Sequence, residues 1–268
     1  MSEAGRVDVH GLRIAYRRCG SGPPVVLVHG AVCDGRFWRP QLEHLSDEFT
    51  LVAWDAPGCG SSTDPPESFR LADYADALAG FVDGLGLRRP CLVGHSFGGA
   101  LLLELHRRHP ETPGALIIVG GYAGWAGSLP PADVERRLRF ALEAADRLAG
   151  GFDPRSMPGL FSDALSAEAA DELADLMSAS RPVATRTMAL GMAEADLRGA
   201  LALVDVPTLL VYGDADERSR LDVAEQLHRG IVGSTLAVMP GAGHGCTLEF
   251  PDEFNALVRG FLRSRAMP

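Results

Sequence analysis

"LVGHSFGGALL", residues 92–102, decides how the chain is read. An apolar, strand-like run reaches Gly94, a single serine follows at position 96, and Phe97-Gly98-Gly99 lead into a helical pattern. Gly94 to Gly98 form a G-x-S-x-G pattern. With 31 glycines and 16 serines in 268 residues, about 0.2 such matches arise by chance, so the pattern alone is weak. Its setting strengthens it. A serine between a buried strand and a helix sits on a sharp, strained turn that lifts its side chain clear and demands small neighbours. Gly94 and Gly98 meet that demand. The helix that starts after Ser96 directs its dipole and free amides at the serine oxygen.

The same design recurs outward from this stretch. "PPVVLVHG" (23–30), "FTLVAWDAPGCG" (49–60), "GALIIVGG" (114–121), "VPTLLVYGD" (206–214) and "STLAVMPG" (234–241) are short apolar runs that end in turn residues. β-Branched runs without alternation suit parallel strands covered on both faces. "RVDVHGLRIAYRR" (6–18) reads as a hairpin turning at His10-Gly11. Helical patterns over 68–86, 97–110, 219–231 and 250–265 fall between or after these strands. The alternation predicts an α/β fold with an eight-stranded, mostly parallel, doubly wound sheet.

The alternation breaks once. Residues 122–200 contain no strand-like run and hold helical stretches near 131–149, 166–179 and 182–198. They read as a helical cap inserted before the acid-bearing strand, with 1–121 and 201–268 as the core domain. Trp125, Phe140, Met157, Phe161, Met188 and Met192 are the candidates to line a substrate pocket beneath it.

A serine nucleophile needs a base and an orienting acid. His244 lies in a glycine-rich loop, "MPGAGHGCTLEF", directly after the last strand, at the sheet edge where α/β proteins bind ligands. His29 and His95 lie beside the site as loop supports. His10, His44, His106, His109 and His228 sit in a turn or on charge-rich helical stretches and read as solvated. Asp214 and Asp216 both follow the preceding strand; Asp216 is the preferred acid, and Asp214 caps the turn. Asp205 precedes the strand and so lies at the opposite edge. The order Ser96, Asp216, His244 is the one described for nucleophile-elbow enzymes. The backbone N–H groups of Ala31 and Phe97 are the candidate oxyanion hole.

Over nearly its whole length the sequence resembles the α/β-hydrolase superfamily. It is most similar to the small, cap-bearing bacterial esterase and lactonase branch that includes 3-oxoadipate enol-lactonases. The residues that carry the resemblance are "LVHG" (27–30), "DAPGCGSS" (55–62), "VGHSFGG" (93–99), "VPTLLVYGDAD" (206–216) and "PGAGH" (240–244). It implies a Ser–His–Asp triad with the acid at Asp216, and a structural role for the 55–62 loop. Dehalogenases and epoxide hydrolases of this fold carry Asp where Ser96 stands.

Composition narrows the function. The formal charge is −10 with 25 basic residues, all arginine, so nucleic acid and anionic membranes are poor partners and a lysine base or Schiff base is excluded. Five scattered cysteines (Cys19, Cys33, Cys59, Cys91, Cys246) without a CxxC pair fit neither a disulfide framework nor a zinc site, and they suit the cytoplasm. Cys33 and Cys246 read as loop-packing residues. The expectation is a serine hydrolase that cleaves a small ester, lactone or thioester with an apolar acyl group, without metal or cofactor. A non-hydrolytic enzyme on the same site (lyase, decarboxylase or cyclase) and a slow-turnover ligand-binding protein are the alternatives. Natural substrate and oligomeric state are not legible from the sequence.

Overall fold

The computed structural model describes residues 3–147 and 159–264. Met157, one of the expected pocket residues, lies outside them. Eight strands form one sheet: β1 (Glu3–Val9), β2 (Leu12–Cys19), β3 (Pro24–Val28), β4 (Thr50–Trp54), β5 (Cys91–His95), β6 (Ala115–Val119), β7 (Thr208–Gly213) and β8 (Thr235–Met239). Their spatial order is β1-β2-β4-β3-β5-β6-β7-β8. The hairpin β1–β2 turns at His10 (φ 50°) and Gly11 (φ 82°), and β2 runs antiparallel to β4. The other pairings, β4–β3–β5–β6–β7–β8, are parallel. This is the α/β-hydrolase fold anticipated above.

Eleven helices are seen among the described residues. Those outside the β6–β7 connection are α1 (Arg39–Leu45), α2 (Leu71–Gly84), α3 (Phe97–Arg108), α9 (Leu221–Gly230), α10 (Cys246–Glu249) and α11 (Pro251–Arg263). Between β6 and β7 lie α4 (Trp125–Ser128), α5 (Pro131–Arg147), α6 (Ala167–Ser178), α7 (Pro182–Glu194) and α8 (Arg198–Leu201). Helix starts follow local chemistry: Asp73 accepts the Arg70 N–H at 2.8 Å before α2, and Pro182 and Pro251 open α7 and α11, where their missing donor costs nothing. The short helical turn at Gly35–Trp38 and α1 were not anticipated. That segment is brief, and its signature reduces to Pro40 with Leu42 and Leu45.

The two faces of the sheet explain the unbroken apolar strands. Val26, Val28, Leu92, Leu116 and Ile118 point into a core shared with α2 and α3, around Tyr74, Phe81, Phe97 and Leu101. Val25, Leu27, Val93, Ile117 and Val119 point the other way, into a core with Trp38, Leu45, Phe254 and Val258. Successive residues thus serve opposite cores, and polar alternation has no place. β3 lies between β4 and β5, so the connections leave it in opposite directions. That topological switch opens a crevice outside the carboxyl ends of β3 and β5, where Ser96 and the loop after Val28 meet.

Candidate active site

Ser96 joins β5 to α3 with φ 52° and ψ −109°, a left-handed backbone that a residue with a Cβ adopts only under constraint. The constraint is packing. Ser96 N–H donates to the Val119 carbonyl at 2.8 Å. A Cβ on Gly94 would stand 2.5 Å from the Gly98 carbonyl oxygen, and one on Gly98 would stand 2.4 Å from that of Val28. Only hydrogen fits at these two positions, so the turn closes tightly and Ser96 is pushed toward the crevice. Phe97, buried at 1% exposure, is the first residue of α3, where an amide has no partner within its own helix.

Asp216 and His244 arrive from the loops after β7 and β8. His244 Nδ1 lies 2.8 Å from Asp216 Oδ2, and both residues are buried. A carboxylate oxygen accepts, so Nδ1 carries the hydrogen and Nε2 remains free to accept. Asp216 Oδ1 takes the N–H groups of Arg218 (2.7 Å) and Ser219 (2.8 Å). Burial works to raise the Asp216 carboxyl, but His244 and these two amides outweigh it and hold it below the usual carboxylate range. Asp214 points elsewhere and accepts the Gly241 N–H at 2.6 Å, as a turn cap.

The His244 loop is pinned on several sides. His95 Nε2 donates to the His244 carbonyl at 2.8 Å. Ala215 N–H donates to the Ala242 carbonyl at 2.9 Å. Glu249, buried within α10, accepts the N–H groups of Gly243 (2.7 Å) and Gly245 (3.1 Å), the residues on either side of His244. It also accepts the Ser162 hydroxyl, which ties the loop to the segment before α6. Glu249 was not singled out in the sequence, where it reads as an ordinary helix-terminal acid.

The neighbouring histidines are held neutral. Burial, followed by the proximity of His244, pushes His95 down to about 3, and its ring stacks on Phe37 with centroids 4.8 Å apart. His29, likewise depressed by burial, accepts the Ala56 N–H at Nε2 (3.0 Å) and donates from Nδ1 to the Gly30 carbonyl (2.7 Å). Asp55 accepts from Gly35 and Ser61, both at 2.9 Å, so the 55–62 loop is braced internally. His106 departs from expectation. It is 2% exposed, and Nε2 stands 3.2 Å from both the Leu203 carbonyl and Asp205. The segment from α8 to β7 covers the helix face that its charged sequence neighbours made look solvated.

Two cavity lobes, each of about 120 Å³, meet at Ser96. Ala31, Val32, Trp125, Arg137, Met177 and Arg218 line both. One lobe adds Phe97, Phe140, Thr185, Met188 and Met192; the other adds Cys33, Phe37, Leu160, Phe161 and His244. The five described pocket candidates thus stand in one wall or the other, Phe140 at the rim with 48% exposure. Cys33 borders the second lobe, and burial raises its thiol well above its ordinary value. Cys246 is buried in the core. The two arginines, Met177 and Leu160 were not anticipated; Met177 shares the apolar face of α6 with Leu173 and Leu176, a period visible in the sequence. Among the described residues there is no cluster of histidine, cysteine and acidic side chains suited to a metal ion, and no helix long and apolar enough to cross a membrane.

Comparison with known proteins agrees with this fold. The RutD protein of Caulobacter sp. (strain K31), which carries the name of a carbamate hydrolase, is 30% identical over 98% of this chain and 99% of its own. A thermophilic esterase from Thermogutta terrifontis, solved with malate bound, superimposes with a TM-score of 0.88 at 28% identity, covering 98% of each chain. The enol-lactonase from Burkholderia xenovorans LB400 shares the fold with a TM-score of 0.81 at 22% identity, over 97% of this chain and all of that one. The profile of the Alpha/beta hydrolase family matches residues 25–257, and the chain belongs to that family.

Proposed function

We propose that the protein is a serine hydrolase that cleaves a small ester, lactone or thioester through an acyl-enzyme. The observation that carries this reading is the His244–Asp216 pair at 2.8 Å, set beside the same cavity as Ser96 on its strained turn. Ser96 Oγ attacks the carbonyl carbon while His244 Nε2 takes its proton. The tetrahedral oxyanion is met by the N–H groups of Ala31 and Phe97; one such donor lowers the barrier by about 3–4 kcal/mol. Collapse expels the alcohol or thiol, which receives the proton from His244. Water then adds to the acyl group, giving its proton to the same nitrogen; as the intermediate collapses His244 returns that proton to the departing Ser96 Oγ, and the acid is released. Asp216 keeps Nδ1 protonated and stabilises the imidazolium.

Residues 122–200 act in this scheme as a cap that closes over the cavity and sets substrate size. A cavity of about 150 Å³ holds a benzene-sized group, so lobes of about 120 Å³ suit short acyl and alcohol groups. Esterase and carbamate-hydrolase relatives support carbonyl hydrolysis in general. The test is a panel of short alkyl esters, lactones, thioesters and carbamates assayed with the wild type and Ser96→Ala. Turnover of one class that vanishes in Ser96→Ala is expected; turnover that survives the substitution refutes the proposal.

A further inference from the structure

Two cations stand in the wall of a largely apolar cavity. Arg137 comes from α5 and Arg218 from the loop after β7, and both line both lobes beside Ser96. They are built into the wall. Arg137 Nη1 donates to the Tyr122 hydroxyl at 3.0 Å, Nη2 donates to the Arg218 carbonyl at 2.7 Å, and the guanidinium carbon lies 5.5 Å from the Tyr122 ring centroid. Arg218 is fixed through its backbone, whose N–H meets Asp216 Oδ1.

Their sequence neighbours have carboxylates of their own: Arg136 pairs with Asp133 and Arg220 with Asp222. Among the described residues, no carboxylate stands in ion-pair contact with Arg137 or Arg218. Asp216 is close enough to influence Arg218, but its two oxygens are committed to His244 and to two backbone amides. Burial, and then the charge on Arg137, lower Arg218 from its ordinary value. A guanidinium stays charged nonetheless. Two like charges held side by side and partly withdrawn from water gain most from a counter-charge brought in by a ligand.

We propose that Arg137 and Arg218 form an anion subsite that binds a free carboxylate on the substrate, so that the substrate is a short half-ester or lactone bearing that carboxylate. The planar guanidinium fork matches a carboxylate with two hydrogen bonds. Methionine and aromatic walls take the intervening methylenes. This inference rests on the hydrolase reading for the position of the scissile bond, whereas the subsite itself rests on the arginine geometry. It adds an anionic end to the apolar acyl group expected from the sequence.

Calorimetric titration of glutarate into Ser96→Ala isolates the subsite from catalysis. Glutarate is expected to bind, and to bind about 10- to 100-fold more weakly when Arg218→Met or Arg137→Met is added, as expected for loss of charge-assisted hydrogen bonds. Arg218→Met leaves the backbone bonds of residue 218 in place, so it carries the test should Arg137→Met fold poorly. Arg218→Lys is expected to lie between. Absent glutarate binding, affinity unchanged by both substitutions, pentanamide binding as tightly, or inorganic phosphate binding more tightly would each overturn the proposal. In the Ser96 enzyme, the ratio of kcat/KM for monoethyl glutarate to that for ethyl pentanoate is expected to fall about 10- to 100-fold in Arg218→Met; an unchanged ratio would also overturn it. Retained glutarate binding with neither ester cleaved would support the subsite and refute the hydrolase reading alone.

Discussion

Glu249→Gln tests how His244 is held. The carboxylate of Glu249 brackets His244 by accepting the N–H groups of Gly243 at 2.7 Å and Gly245 at 3.1 Å, and it accepts the Ser162 hydroxyl on the same oxygen as Gly243. Glutamine preserves the shape but turns one acceptor into a donor. Its carbonyl satisfies the Gly243 and Ser162 side, so its amide faces the Gly245 N–H and leaves that donor buried without a partner. A bond to a charged group contributes about 1.5–3 kcal/mol and a stranded buried donor costs about 1–3 kcal/mol; these overlap here, giving a loss of about 2–3 kcal/mol. Glu249→Ala strands all three donors and costs about 4–6 kcal/mol on the same scale. Because the released amides flank His244, the loop shifts the imidazole relative to Ser96. Displacement on the order of 1 Å lowers kcat about 100-fold, with KM within about threefold. Urea unfolding gives the first quantity and steady-state kinetics on the best short ester the second. Wild-type stability and kcat in Glu249→Gln would refute the positioning role.

Other consequences are as direct. Asp216→Asn keeps the size of the side chain but not its charge and is expected to lower kcat by about 10⁴-fold, whereas Asp214→Asn disturbs only the bond to Gly241 and retains turnover; equal losses in the two variants would refute the choice of acid. Acid should destabilise the fold through its buried neutral histidines. The His95 pKa falls from about 6.5 in the unfolded chain to about 3 in the fold, so its contribution is complete above about pH 6.5 and declines toward pH 3, with about 2 kcal/mol lost by pH 5. His29, also depressed by burial, acts in the same direction. Urea denaturation at pH 7.5 and pH 5 should show His95→Gln losing about 2 kcal/mol less than the wild type between the two; identical losses would contradict this.

The strands, the elbow and the order of Ser96, Asp216 and His244 were legible because each is written in a short contiguous stretch. A buried parallel strand is an unbroken apolar run, and a tight elbow needs glycine at Gly94 and Gly98, where the Gly98 and Val28 carbonyls close in. What escaped depends on contacts between distant segments. Glu249 matters through Gly243, Gly245 and Ser162; His106 is buried by the segment around Leu203; Arg137 and Arg218 meet across more than half of the insertion. A charged residue on an amphipathic helix looks solvated in sequence unless a neighbouring element covers it, and one chain does not announce which element will do so. The place of Trp125, Met188 and Met192 in the cavity wall could be raised from their positions after β6, but not the pairing of that apolar wall with two cations.

The most direct test of the central claim is covalent labelling of Ser96. The protein and its Ser96→Ala variant are treated with a fluorophosphonate, verified as folded by circular dichroism, and followed by intact mass and peptide mapping. The account predicts one adduct per chain, on Ser96, and none on Ser96→Ala. A folded wild type that takes no label, or a Ser96→Ala variant labelled as readily as the wild type, would contradict it.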